Sequence, residues 1–206
     1  PLTKAIQDVG GRPLVAYRPS ENEDLLLKWK HDIASLIVVE EPLRSKVEAE
    51  KPATLFLKGG LHPGGRISGK QRLCVIVEGD LAGEVDMGIG FVRVTGSVTG
   101  RLKTSGTAIV DGDVTGVIEV DGIPYVLLRG KVRDPASGLT GSGIPTFYFE
   151  SYTPEFEIRQ FRKGNGGGIW KLHVRQSDLA EGEHRKGTGI WSEVTVADPI
   201  WEGLAR

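Results

Sequence analysis

A single cysteine among 206 residues leaves Cys74 without an internal disulfide partner, so nothing marks an oxidising compartment. Net charge is nearly absent too: 26 basic residues stand against 27 acidic ones, for -1 overall. No global field therefore draws the chain towards nucleic acid or an anionic membrane. No apolar run approaches the ~18 residues of a membrane span, and the first residues lack the charged, apolar and small-residue order of a signal peptide. The expectation is a cytoplasmic protein with no nucleic-acid partner and no membrane partner. Apolar residues are lean at 39%, whereas glycines number 29, about twice the usual share. Such a composition suits tight turns and bent strands better than long helices.

Metal and nucleotide chemistry lack their signatures. His31, His62, His173 and His184 are isolated, and one cysteine cannot build a zinc site. Neither a Walker loop, a Rossmann fingerprint nor a Gly-x-Ser-x-Gly elbow occurs, so no metal and no cofactor are expected.

Residues 1–52 differ from the rest. LLLKWKHDIASLIVVEE places apolar residues at 25, 26, 29, 33, 36 and 37, an amphipathic helical spacing with Ser20 as N-cap and Glu23 as its capping-box partner. This predicts a helix over 24–39 within an N-terminal arm or lid. From Ala53 onwards β-branched and aromatic residues dominate, with strands expected at 53–58, 72–78, 84–86, 91–102, 107–120, 123–132, 146–151, 155–162, 168–175 and 189–197. Asp121-Gly122 sits between two such runs as a two-residue hairpin demands.

A pattern Gly-x-[Ile/Leu/Val]-x-Gly occurs at Gly65, Gly79, Gly96 and Gly112. Three copies extend as VEGDLAGEV, VTGSVTGRL and VDGDVTGVI, and residues 77–120 resemble the rungs of the bactofilin family. That resemblance implies a parallel β-helix that polymerises into a scaffold. In the competing reading each copy is the middle of a long antiparallel strand, coiled at its glycines to close a barrel. The Asp-Gly hairpin, the end of the repeat after residue 120 and the aromatic segments beyond it favour the barrel, so the expected fold is an antiparallel closed β-barrel over 53–206 behind the helical arm.

GVIEVDGIPYVLLRGKV, TFYFESYTPEFEIR and GIWKLHV resemble, in their order, segments of an uncharacterised family of small lipocalin-like barrels of the calycin or allene-oxide-cyclase-like kind. The resemblance implies a fold more than an activity. Strand alternation separates Phe147 and Phe149 from Tyr148 and Glu150, and Trp170 from His173 and Arg175. In one reading these polar groups meet water. In the other they line a cavity, with Tyr148, Glu150 and His173 as proton-transfer groups, Arg129 and Arg175 holding an anionic centre, and Tyr125 and Trp170 as walls. The second reading predicts a cofactor-independent cyclase, isomerase or lyase acting on a small apolar molecule, with a passive binding barrel or a self-assembling β-helix as alternatives. A homo-oligomer is compatible with each, and His62 in its glycine-rich loop is a candidate gate.

Overall fold

Apolar residues at every second position bury one side of the short strands between Lys46 and Val120. Ala53–Leu57 buries Ala53, Leu55 and Leu57 and leaves Thr54 and Phe56 on the other face; Leu73–Val77 and Val117–Val120 alternate in the same way. In the computed structural model, which describes residues 6–9, 12–17, 25–27, 35–50, 52–69, 72–132, 139–150, 171–174 and 194–196, these strands stack as a parallel β-solenoid. One sheet of 11 strands runs in the order Ile6–Val9, Arg12–Tyr17, Ser35–Val39, Ala53–Leu57, Leu73–Val77, Gly90–Val94, Thr107–Val110, Tyr125–Leu128, Thr146–Phe149, Lys171–Val174 and Val194–Val196. A second sheet of 7 runs from Leu25–Leu27 through Lys46–Ala49, Arg66–Gly69, Glu84–Met87, Arg101–Thr104 and Val117–Val120 to Leu139–Gly141. From Ser35 to Phe149 the chain alternates between the two sheets, and it turns a corner at Leu43, Leu61, Leu81, Val98, Val114 or Val132, which are linked by parallel bridges.

Register makes identical positions meet. Ile37, Leu55, Val75, Val92, Ala108, Val126 and Phe147 form one inward column of the first sheet, and Val39, Leu57, Val77, Val94, Val110, Leu128 and Phe149 form the next. Val47, Ile67, Val85, Leu102, Ile118 and Leu139 face them from the second sheet. These columns and the corner residues make one apolar core, and the hydrophobic effect acts along the whole axis. The buried Thr104 hydroxyl is satisfied by the Gly106 amide, which donates to its Oγ1 at 2.9 Å.

The antiparallel barrel expected from the sequence is thus corrected. Every described pairing is parallel except Ile6–Val9 with Arg12–Tyr17. Asp121-Gly122 does form a turn, and Gly122 has φ 78°, but the turn leads from one sheet into the other; Val117–Val120 and Tyr125–Leu128 never pair. The long strands expected over 91–102 and 107–120 are each bent at a corner, at Val98 and Val114. The helical arm is corrected as well. Leu25–Leu27 and Ser35–Val39 are strands, because the β-branched Ile37, Val38 and Val39 alternate in burial and find ladder partners in Leu55, Phe56 and Leu57. Ser20, Glu23, Trp29 and the strand expected over 155–162 lie outside the described residues. GRISG from Gly65 belongs to the strand Arg66–Gly69, out of phase with the other three copies, which turn corners at Leu81, Val98 and Val114.

Candidate functional site

With the interior filled by fully buried Val, Leu, Ile and Phe side chains, the outer faces carry whatever chemistry the described residues have. The substrate cavity expected inside a barrel is corrected on that ground: the inward columns leave the polar residues outside. Tyr148 faces outward, buried against Leu127 and Ile109. Its register partner on the next strand is His173, so two of the three expected proton-transfer residues occupy adjacent strands. Glu150 follows the strand, and its amide donates to the Leu128 carbonyl at 2.9 Å. Tyr125 is half exposed on the outer face, paired with Thr107 and Thr146. Arg129 donates through Nη1 to Asp111 Oδ1 at 2.8 Å. Trp170 and Arg175 lie outside the described residues. The expected gate, His62, is exposed on a turn, where its Nδ1 accepts a bond from the Gly64 amide at 3.4 Å. Among the described residues no group of three His, Cys, Asp or Glu side chains is placed to hold a metal ion, and no helix is long and apolar enough to cross a membrane.

Stacking instead builds two charge ladders that sequence reasoning missed. On the second sheet Arg66, Glu84 and Arg101 form one outer column, and Asp86, Lys103 and Glu119 form its neighbour. Arg101 donates to Glu84 at 3.0 Å from one side and to Glu119 from the other; Lys103 meets Glu119 at 3.2 Å, and Arg66 reaches Glu84 at 3.6 Å. At the end of the first sheet, the residues following successive strands are Glu40, Lys58, Glu78, Thr95, Asp111, Arg129 and Glu150. Lys58 meets Glu40 at 3.1 Å, and Arg93 and Arg129 clasp Asp111 at 2.9 and 2.8 Å. Signs alternate from Arg66 to Arg101, from Asp86 to Glu119, from Glu40 to Glu78 and from Asp111 to Glu150, although Lys46 lies beside Arg66 and the neutral Thr95 parts Glu78 from Asp111. Within the alternating runs a slip by one rung sets like charges together. Arg129, singled out as an anion holder, is thereby committed to a structural carboxylate.

The hydrogen bond from Arg101 holds the Glu119 carboxyl below its ordinary pKa and raises the Arg101 guanidinium further. Burial pushes the Cys74 thiol up, opposed by a hydrogen bond with Thr54; a thiol so placed is a poor nucleophile.

Comparison with protein-family models, with curated proteins and with solved structures finds no match to this chain.

Because the Glu119 pKa is depressed on folding, its stabilisation is full above the unfolded carboxyl value and is lost as pH falls through the folded one. Thermal melts between about pH 7 and pH 3 are expected to show a decline that is shallower in Arg101→Leu. At neutral pH that variant loses at most about 1 kcal/mol, since the pair is solvated. Equal acid sensitivity of the two proteins would show that Glu119 gains nothing from Arg101.

Proposed function

We propose that this chain is a non-catalytic structural scaffold whose solenoids self-assemble end to end. The carrying observation is the open edge of the stack. Among the described residues Leu25–Leu27, Leu139–Gly141, Val194–Val196 and the antiparallel Ile6–Val9 each pair on one side only, and an unpaired strand edge is a template for another chain. From Ile37 to Phe149 the core repeats rung after rung without a break, so a further parallel rung adds the same columns of Val and Leu. The enzyme reading is set aside because the cavity it needs is occupied by the core. The likeness of residues 77–120 to bactofilin rungs supports the finer reading, a cytoplasmic filament-forming protein.

Sedimentation velocity across a concentration series, with negative-stain microscopy of the same samples, tests this. Rods that lengthen as concentration rises are expected. A single species of fixed mass at every concentration would overturn the proposal.

A further inference from the structure

Five large apolar side chains stand exposed among the described residues: Leu36, Ile89, Ile123, Tyr125 and Ile144. Four of them share one corner, where the chain passes from the second sheet back into the first. Register extends Phe91↔Thr107, Thr107↔Tyr125 and Tyr125↔Thr146 back through that corner. The positions two residues earlier follow the axis as Arg72, Ile89, Ser105, Ile123 and Ile144, with the Ser105 amide donating to the Gly88 carbonyl and the Ile144 amide to the Gly122 carbonyl. The corner is two residues longer before Tyr125 than before Thr107, and Tyr125 stands beside it. Their exposures are 68% for Ile89, 67% for Ile123, 52% for Tyr125 and 43% for Ile144. We infer that this seam is the contact surface for a second copy of the chain, joined side by side with its axis reversed.

The seam complements itself under a two-fold axis perpendicular to the stack, placed midway between the levels of Ser105 and Ile123. Ile89 then faces Ile144 of the second copy, and the small Ser105 receives its Ile123. On the first-sheet side of the seam, Tyr125 meets the smaller Thr107. On the other side Lys103 meets Glu119, and each already pairs within its own chain at 3.2 Å, so the dimer closes an alternating square of four charges. A two-fold contact duplicates each of these pairings, as isologous interfaces do. The four side chains form a patch of roughly 400 Å², the size at which exposed apolar surface on a soluble protein is usually functional. With its polar rim it approaches the about 800 Å² per partner of a standard interface. A membrane surface fits less well: the corner carries charges of both signs, the exposed Arg72 one rung below Ile89 and the exposed Asp121 before Ile123, so it offers an anionic bilayer no basic cluster. Lateral pairing needs no stacking of ends, so it stands or falls separately from the scaffold reading.

Cysteine cross-linking decides it. In a Cys74→Ser background, an Ile89→Cys chain is mixed with an Ile144→Cys chain and oxidised. The reversed pairing yields the mixed disulfide, because it alone brings position 89 against position 144 within bridging distance. Cross-links of 89 to 89 and 144 to 144 would show parallel pairing and overturn the proposal, as would no cross-link at all. Independently, Ile123→Asp is expected to weaken lateral association at least about 30-fold in sedimentation equilibrium with an unchanged circular dichroism spectrum. Unchanged association would also overturn it. If Ile123→Asp rods keep their length but halve in width, seam and end contacts are distinct. If the wild type forms only pairs that Ile123→Asp disperses, the scaffold reading fails while the seam holds.

Discussion

Gly100→Ala is expected to cost at least about 3 kcal/mol, while Gly122→Ala costs only about 1 kcal/mol. A Cβ on Gly100 would lie 2.0 Å from the Gly83 carbonyl oxygen and 2.5 Å from that of Ala82. Both are backbone atoms of the rung beneath, so neither can swing aside. The same overlap recurs at Gly116 over Gly100, and relieving it means lifting one rung off the next. Gly122 has the left-handed φ of 78° but nothing within 4 Å of an added Cβ, so alanine there meets only backbone strain. Urea titrations of the two variants measure the contrast. Equal costs would mean that the rungs do not press together at their corners.

The second large effect separates neighbours in sequence. Ile118→Asp puts a carboxylate into a column that is wholly buried between Leu102 and Leu139, with no cation in that column to meet it. The expected outcome is loss of the fold, at a cost of several kcal/mol or about 4 at least. Val117→Asp, one residue earlier, lies on the outer face beside Arg101. There the new charge extends the alternation of Glu84 and Arg101, and stability changes by no more than about 0.5 kcal/mol. Circular dichroism and thermal melts of both variants read the difference. Survival of Ile118→Asp would place that residue outside the core.

Much of the strand pattern was legible. The expected strands at 53–58, 72–78 and 84–86 coincide closely with Ala53–Leu57, Leu73–Val77 and Glu84–Met87, since alternation of burial is a local property. Their pairing was not legible. A left-handed glycine such as Gly122 serves a corner as well as a hairpin, and corner glycines beside Val98 and Val114 read equally well as bends in long strands. The apparent helix over 24–39 arose because Leu25–Leu27 and Ser35–Val39 are separate short strands whose apolar residues happen to fall at helical spacing. The outer-face residues had the reverse difficulty. Arg129 and Glu150 stood out as polar groups in a β context, but their ladder partners lie whole rungs away; Asp111 is 18 residues from Arg129. Sign alternation becomes visible only once the rungs are laid in register.

That register is open to direct measurement with spin labels on the outer column Glu48, Ser68, Asp86, Lys103 and Glu119 of the second sheet. One label at Glu48 is paired in turn with a second at Asp86, Lys103 or Glu119, in a Cys74→Ser background. At about 4.8 Å per rung, backbone separations of roughly 10, 14 and 19 Å are predicted, rising by one equal step for each rung. Separations that fail to rise in sequence order would contradict the parallel stack and every inference drawn from it.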